Sequence, residues 1–342
     1  MSSLNPLMTL VSLLLALAAT EPLPAQDFYV PDTVSEEAKA IIRSFSRAKR
    51  DAFIAPAPDD REGWKKFQAA YDQGRMAGNE AIVKEYEPTL IPKKLGGVPV
   101  VDIRPKGWKD NGKVLVYTHG GGYVGVHANT SYTCSVPMAH DTGLRVVSVD
   151  YTLAPFAMYE QVTDEVVSVI QALIKDGYRL WDIGIMGDSA GGSLAAAVAL
   201  KLRDKGLGLL GAAVLRSPWS DIAEVGDTYF TLKDQEPMDL YSKVLDSAAK
   251  AYADPKDHKN PYVSPVYGDF SKGFPPTLIQ VGTKEILLSC AVRLYQAIDT
   301  AGQVAKLDVY EGMWHIFQTS KTPEAQLARK KSAAFLKEYL KY

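Results

Sequence analysis

The chain has 342 residues, 46% of them hydrophobic and 23% charged, with a formal net charge of −2. That is the composition of an ordinary globular protein, long enough for one large core or for one core and a small cap. It carries no basic stripe of the kind that binds nucleic acid and no long acidic tail of the kind that stays disordered.

The first element is an almost unbroken apolar run from Leu7 to Ala19. It is too short to span a bilayer comfortably. It has the length of a secretory apolar region, and Ala16-Leu17-Ala18 offers a small-x-small cleavage site. No Lys or Arg precedes it, so an apolar helix packed on the body is the other reading. Residues 1–26 are therefore expected to be a signal peptide or an apolar N-terminal helix. Removal implies a secreted or periplasmic protein, and retention a cytoplasmic one. The rest of the chain offers no membrane-spanning candidate, so stable membrane insertion is not expected.

Val34 to Tyr86 reads as helical. Ile41, Ile42, Phe45 and Ala48 recur at helix spacing, and Ala55-Pro56-Ala57-Pro58 separates them from a second helix. Asp59 and Asp60 are placed to cap that helix, which carries Trp64, Phe67 and Tyr71. The pattern then changes to short β-rich runs at Val98–Ile103, Lys113–Thr118, Arg145–Val149, Ile183–Met186, Ala212–Leu215, Thr277–Val281 and Lys306–Tyr310. Helical segments alternate with them, near Thr163–Lys175, Ala190–Arg203, Glu285–Thr300 and Pro323–Leu340. Such alternation predicts an α/β fold with a mostly parallel sheet covered by helices on both faces. Asp227 to Tyr252 breaks the rhythm and reads as a helical insertion, best from Asp239 to Tyr252. Cys134 and Cys290 sit in no metal-binding spacing and read as two buried free thiols rather than a disulfide.

Two motifs carry chemistry. Gly187-Asp188-Ser189-Ala190-Gly191-Gly192 fits G-x-S-x-G, between a buried strand run and an Ala-rich helix. That turn is tight, so the residues two before and two after the serine must be small, and Gly187 and Gly191 are. The helix N-terminus behind Ser189 presents free N–H groups to developing negative charge. His119-Gly120-Gly121-Gly122 follows the run ending at Thr118 and fits the HGGG loop that forms an oxyanion hole. No phosphate-binding glycine pattern competes with this reading.

A nucleophilic serine on such a fold needs an acid and then a histidine later in the chain. Of five histidines, His315 lies in the loop after the last β run and is the best placed general base. His119 belongs to the glycine loop, where its part is structural, and His258 reads as a surface residue. Glu285 follows the strand Thr277–Val281 and is chosen as the acid over Asp308, which reads as an ordinary strand carboxylate. The acid accepts a hydrogen bond from one ring nitrogen of the histidine and so fixes its tautomer.

Taken in order, these motifs with Tyr151-Thr152-Leu153-Ala154-Pro155, Ser217-Pro218-Trp219-Ser220-Asp221, Ser264-Pro265 and Gly312–His315 resemble the hormone-sensitive lipase family, the bacterial family IV esterases of the α/β-hydrolase fold. The resemblance runs from about Val34 to Leu340. It implies a core of about eight strands in residues 91–342. It also implies a helical cap made from residues 27–90 and an insertion near 227–252. It implies oxyanion donors at Gly121, Gly122 and Ala190, a pocket open to short acyl chains, no metal or organic cofactor, and a homodimer. The expected activity is hydrolysis of a small-molecule ester through an acyl-enzyme on Ser189, rising from mildly acidic to alkaline pH. Three departures stand out: glutamate rather than aspartate at 285, and Thr152 and Phe156 where the family carries charged residues. A lactonase or deacetylase would use the same residues. A non-catalytic binding protein of this fold and an interfacial lipase are the remaining readings, and a fold alone does not choose among them.

Overall fold

The computed structural model describes residues 27–342 apart from Asp239. The apolar run Leu7–Ala19 lies outside the described residues. Among the described residues no helix is long and apolar enough to cross a membrane.

The described residues open with α1 (Glu36–Ser44), α2 (Arg47–Ala52) and α3 (Arg61–Tyr86). The expected cap of α3 is present, with the Asp60 carboxylate accepting the Gly63 N–H at 2.8 Å. Then follow β1 (Thr89–Leu95), β2 (Val98–Arg104), β3 (Val114–Thr118), α4 (Tyr132–Thr142), β4 (Arg145–Val149), α5 (Tyr159–Lys175), β5 (Ile183–Asp188), α6 (Ala190–Asp204) and β6 (Ala212–Arg216). The chain continues through α7 (Thr228–Thr231), α8 (Asp246–Tyr252), β7 (Thr277–Gly282), α9 (Leu288–Thr300), β8 (Ala305–Tyr310) and α10 (Pro323–Leu340).

Among the described residues eight strands form one sheet in the order β1-β2-β4-β3-β5-β6-β7-β8. β2 runs antiparallel to β1 and β4, and all other pairs are parallel. The alternation of each strand divides the core into two layers. Val114 and Val116 pack with residues of α5, α6 and α9, such as Val166, Leu194 and Leu294. Leu115 and Tyr117 pack on the other face with Met138 of α4 and Phe335 and Leu336 of α10. Strands buried on both faces read as continuous apolar runs, which is why β3 to β7 are legible in the sequence.

Two elements differ from the sequence reading. β1 contains Pro92, Lys93 and Lys94, poor strand formers that suit an edge, and among the described residues it pairs with β2 alone. Its two-residue turn, Gly96-Gly97, has φ values of 58° and 85°, the left-handed pair that a tight hairpin requires. Helix α4 forms despite Pro137 because it is buried on nearly every side, so packing overrides propensity. The insertion is also less regular than expected: Tyr241–Leu245 is a π-helical turn, and regular helix begins only at Asp246. Asp239, the expected start, lies outside the described residues.

At the N-terminal end of β5, away from the end that carries Ser189, Asp182 is buried. It accepts Arg179 Nε at 2.6 Å and Lys113 Nζ at 2.5 Å. The hydrogen bond to Arg179 and then that to Lys113 outweigh burial and hold its pKa down to about 2. A depressed carboxylate stabilises the fold above its unfolded value, near 4, and that stability is lost as pH falls towards 2. Asp182→Asn is expected to cost about 2 kcal/mol at pH 7 and almost nothing at pH 2. Denaturant midpoints at the two pH values check this, and equal losses at both would contradict it.

Candidate active site

β5 ends at Asp188, and Ser189 begins the turn into α6 with φ 55° and ψ −124°. A side-chain-bearing residue at positive φ is strained and persists only where its surroundings fix it. The Ser189 N–H donates to the Arg216 carbonyl at 2.9 Å, and its own carbonyl accepts the Trp219 N–H at 3.1 Å. Gly187 and Gly191 make the turn sterically admissible. A Cβ at Gly187 would strike the Gly191 carbonyl, and one at Gly191 would strike the Thr118 and His119 carbonyls. Behind the serine, the buried Asp188 carboxylate is paired with Arg216 Nε and accepts the Tyr117 hydroxyl at 2.6 Å.

The glycine loop leaves β3 alongside this turn. Gly121 and Gly122 both have positive φ, and Gly121 lies against the Gly125 carbonyl, where no Cβ fits. Among the described residues the N–H groups of Gly121, Gly122 and Ala190 have no hydrogen-bond acceptor. His119 is buried and stacks on Tyr151 at 4.0 Å between ring centres, while the Tyr151 hydroxyl donates to the His119 carbonyl at 2.7 Å. Burial pushes the His119 pKa down to about 4, so it stands as a neutral spacer under the loop. Tyr151 belongs to one of the sequence motifs, and its function in the fold is to hold this loop.

His315 follows β8, and its Nδ1 lies 2.9 Å from Glu285 Oε2. Glu285 is fully buried. Its other oxygen accepts the Gly282 N–H at 2.6 Å and the Ser217 hydroxyl at 2.8 Å. Ser217 Oγ in turn accepts the Ile316 N–H at 3.1 Å, tying the histidine loop to the acid. Sequence reasoning placed Ser217 in a motif without giving it this part; the contact spans 68 positions and has no local signal. Asp308, the rejected alternative, instead pairs with Lys331 at 2.6 Å and accepts Gln280 Nε2. His127 lies 3.0 Å from Asp150, His140 packs edge-on against Tyr86, and His258 approaches the Ala253 carbonyl.

One small cavity of about 70 Å³ is lined by Ser189, His315 and Gly120 to Gly122. Phe53, Phe67 and Tyr71 close it from the N-terminal helices, and Met238, Val244 and Leu245 from the insertion. Trp64 and Tyr229, aromatic residues of the same segments, are buried in packing instead. Cys134 also lines the cavity, but burial raises its thiol to about 11, and Cys290 likewise, so both are unreactive free thiols. Among the described residues no group of three or more His, Cys, Asp or Glu side chains is placed to hold a metal. The two departures near Tyr151 are also accounted for. Thr152 gives its N–H and hydroxyl to Glu165 at 2.7 and 2.8 Å, and Phe156 lies under the Arg61 guanidinium.

A family model described as the alpha/beta hydrolase fold matches residues 115–319, from β3 to just past His315. The chain belongs to the α/β-hydrolase superfamily, in its bacterial hormone-sensitive lipase group. This α/β-hydrolase is 32% identical over 249 residues to a protein named Esterase from Acinetobacter venetianus, across 72% of this chain and 81% of that one. It is 32% identical over 237 residues to an Acetyl-hydrolase of Streptomyces hygroscopicus, across 69% and 78%. Among solved structures, the esterase E25 superposes with a TM-score of 0.84 at 29% identity, covering 90% of this chain and 95% of that one. An esterase of the bacterial hormone-sensitive lipase family superposes with a TM-score of 0.72 at 31% identity, covering 83% and 98%.

Proposed function

We propose that this α/β-hydrolase is a serine carboxylesterase for short-chain acyl esters, with Ser189 as nucleophile, His315 as general base and Glu285 as acid. The observation that carries the reading is the 2.9 Å contact of Glu285 with His315 Nδ1, His315 lining the same cavity as Ser189, Gly121 and Gly122. The carboxylate keeps the proton on Nδ1 and leaves Nε2 to take the proton of Ser189 as its oxygen adds to the ester carbonyl. The N–H groups of Gly121, Gly122 and Ala190 receive the resulting oxyanion. His315 returns the proton to the departing alcohol. A water activated by the same histidine then cleaves the acyl-enzyme and frees the acid.

Residues 27–90 and 227–252 together act as the cap over this site, since side chains from both close the cavity. Its volume is far below the roughly 300–1,000 Å³ of sites for drug-sized ligands, which favours acetyl- to butyryl-sized groups. The name of one relative, acetyl-hydrolase, supports the same size class.

Turnover of p-nitrophenyl acetate, butyrate, octanoate and palmitate tests this. The expected result is a fall in kcat/KM of at least about a hundredfold from butyrate to palmitate. Rapid mixing with the acetate is expected to release a burst of about one nitrophenol per chain, the mark of an acyl-enzyme. Activity without a covalent intermediate, or a preference for palmitate, would overturn the proposal.

A further inference from the structure

Helix α3 places a cation on the wall of the catalytic cavity. Arg75 lines it together with Tyr117, Ser131, Cys134 and Asp188. Its Nε donates to the Thr130 carbonyl at 2.8 Å, and Nη2 reaches Thr133 Oγ1 at 3.3 Å. These bonds hold the guanidinium from one side, through a backbone carbonyl and a hydroxyl, and among the described residues no carboxylate lies within ion-pair distance of it. The acid one turn earlier on the same helix, Asp72, accepts the Thr130 hydroxyl at 2.6 Å and lies 3.8 Å from His127 Nε2. The acid in the cavity wall, Asp188, is taken by Arg216 and Tyr117. Among the described residues Arg75 therefore has no ion pair, and its Nη1 has no acceptor and is not shut off from solvent.

A guanidinium presents its donors as a planar fork that matches a carboxylate, and it keeps its charge at all working pH values. In a small, mostly apolar cavity such a group is a specific receptor for a negative charge. We propose that Arg75 is a specificity-determining residue that binds a carboxylate of the substrate, so that the ester this site takes carries an anionic group a few bonds from the scissile carbonyl. The proposal rests on the esterase reading and narrows its substrate class. The chemistry is unchanged: the acyl–oxygen bond breaks, water supplies the hydroxyl of the new acid, and the alcohol leaves with a proton.

Two matched pairs of esters test it, one with the carboxylate on each side of the bond. For the acyl side, p-nitrophenyl hydrogen succinate is compared with the neutral p-nitrophenyl levulinate. For the alcohol side, 4-acetoxybenzoate is compared with 4-acetoxybenzamide, each rate being normalised to alkaline hydrolysis of the same ester. The wild type is expected to favour the anionic member of at least one pair by about tenfold or more in kcat/KM, as for a charge-assisted hydrogen bond. That ratio is expected to collapse towards one in Arg75→Gln and to survive in reduced form in Arg75→Lys. Since Arg75 also ties α3 to Thr130, the ratio within each variant is the readout, whatever its overall rate. Should Arg75→Gln fail to fold, the wild-type ratio and its persistence in Arg75→Lys decide the matter. Equal or better turnover of the neutral member in both pairs by the wild type overturns the proposal, and so does a preference that survives Arg75→Gln. Failure on all four esters with p-nitrophenyl acetate still turned over also overturns the proposal, whereas failure on p-nitrophenyl acetate as well would refute the esterase reading.

Discussion

Replacing Ser189 by alanine is expected to lower kcat on p-nitrophenyl acetate by about 10⁶-fold, the scale seen when a triad serine is removed. Residual turnover comes from the donors of the glycine loop and from binding alone, so KM should change far less than kcat. The same position gives a second, independent readout. Its φ of 55° and ψ of −124° burden any residue with a Cβ, alanine included. Glycine takes that conformation freely, so Ser189→Gly is expected to be more stable than Ser189→Ala by about 1–2 kcal/mol, both being inactive. Strain of this kind is what a site retains when the nucleophile must stand clear of its own strand. Activity above about a hundredth of wild type in either variant, with the protein folded, would remove Ser189 from its role.

The second large effect is expected at the acid. Glu285→Gln should lower kcat by about 10⁴-fold with little change in stability. The argument follows from the bonds around the carboxylate. One oxygen receives two donors, the Gly282 N–H and the Ser217 hydroxyl, while the other faces His315 Nδ1. A glutamine turns its carbonyl oxygen to the two donors and thereby its amide N–H₂ to the histidine. The histidine must then present a bare Nδ1 and carry its proton on Nε2, the tautomer that cannot take a proton from Ser189. Glu285→Asp keeps the charge but loses one methylene of reach, so it is expected to recover part of the activity that glutamine loses. Kinetics of the two variants beside the wild type, with the melting temperature as a fold control, check this. A glutamine variant within tenfold of wild type would mean that another group orients His315.

Much of the site was legible because its demands are local and steric. A strand that turns sharply into a helix needs small residues beside the serine, and Gly187 and Gly191 announce that in five positions. Consecutive glycines at 120–122 mark a backbone that must turn its N–H groups outwards. The acid was harder. Glu285 and Asp308 both fit the order of elements; the strand position of Asp308 favours Glu285, whose carboxylate lies 2.9 Å from His315 Nδ1, 30 positions on in sequence. β1 carries little sequence signal because its proline and lysines suit an edge, where strand propensity is weak. The proline in α4 concealed a helix that burial sustains.

The strand–turn–helix, the glycine loop, the chain order of Ser189, Glu285 and His315, and the strands buried on both faces can be read from local sequence. Each is written in neighbouring residues, through periodicity or through the space a turn allows. Packing is what brings Glu285 to His315, lets Ser217 brace it, turns Phe67 and Tyr71 rather than Trp64 and Tyr229 to the cavity, and leaves Arg75 there outside any ion pair among the described residues. Those facts depend on which side chains converge from distant elements. Convergence is set by how the two core layers and the helices above them pack, and no short stretch of sequence carries that information.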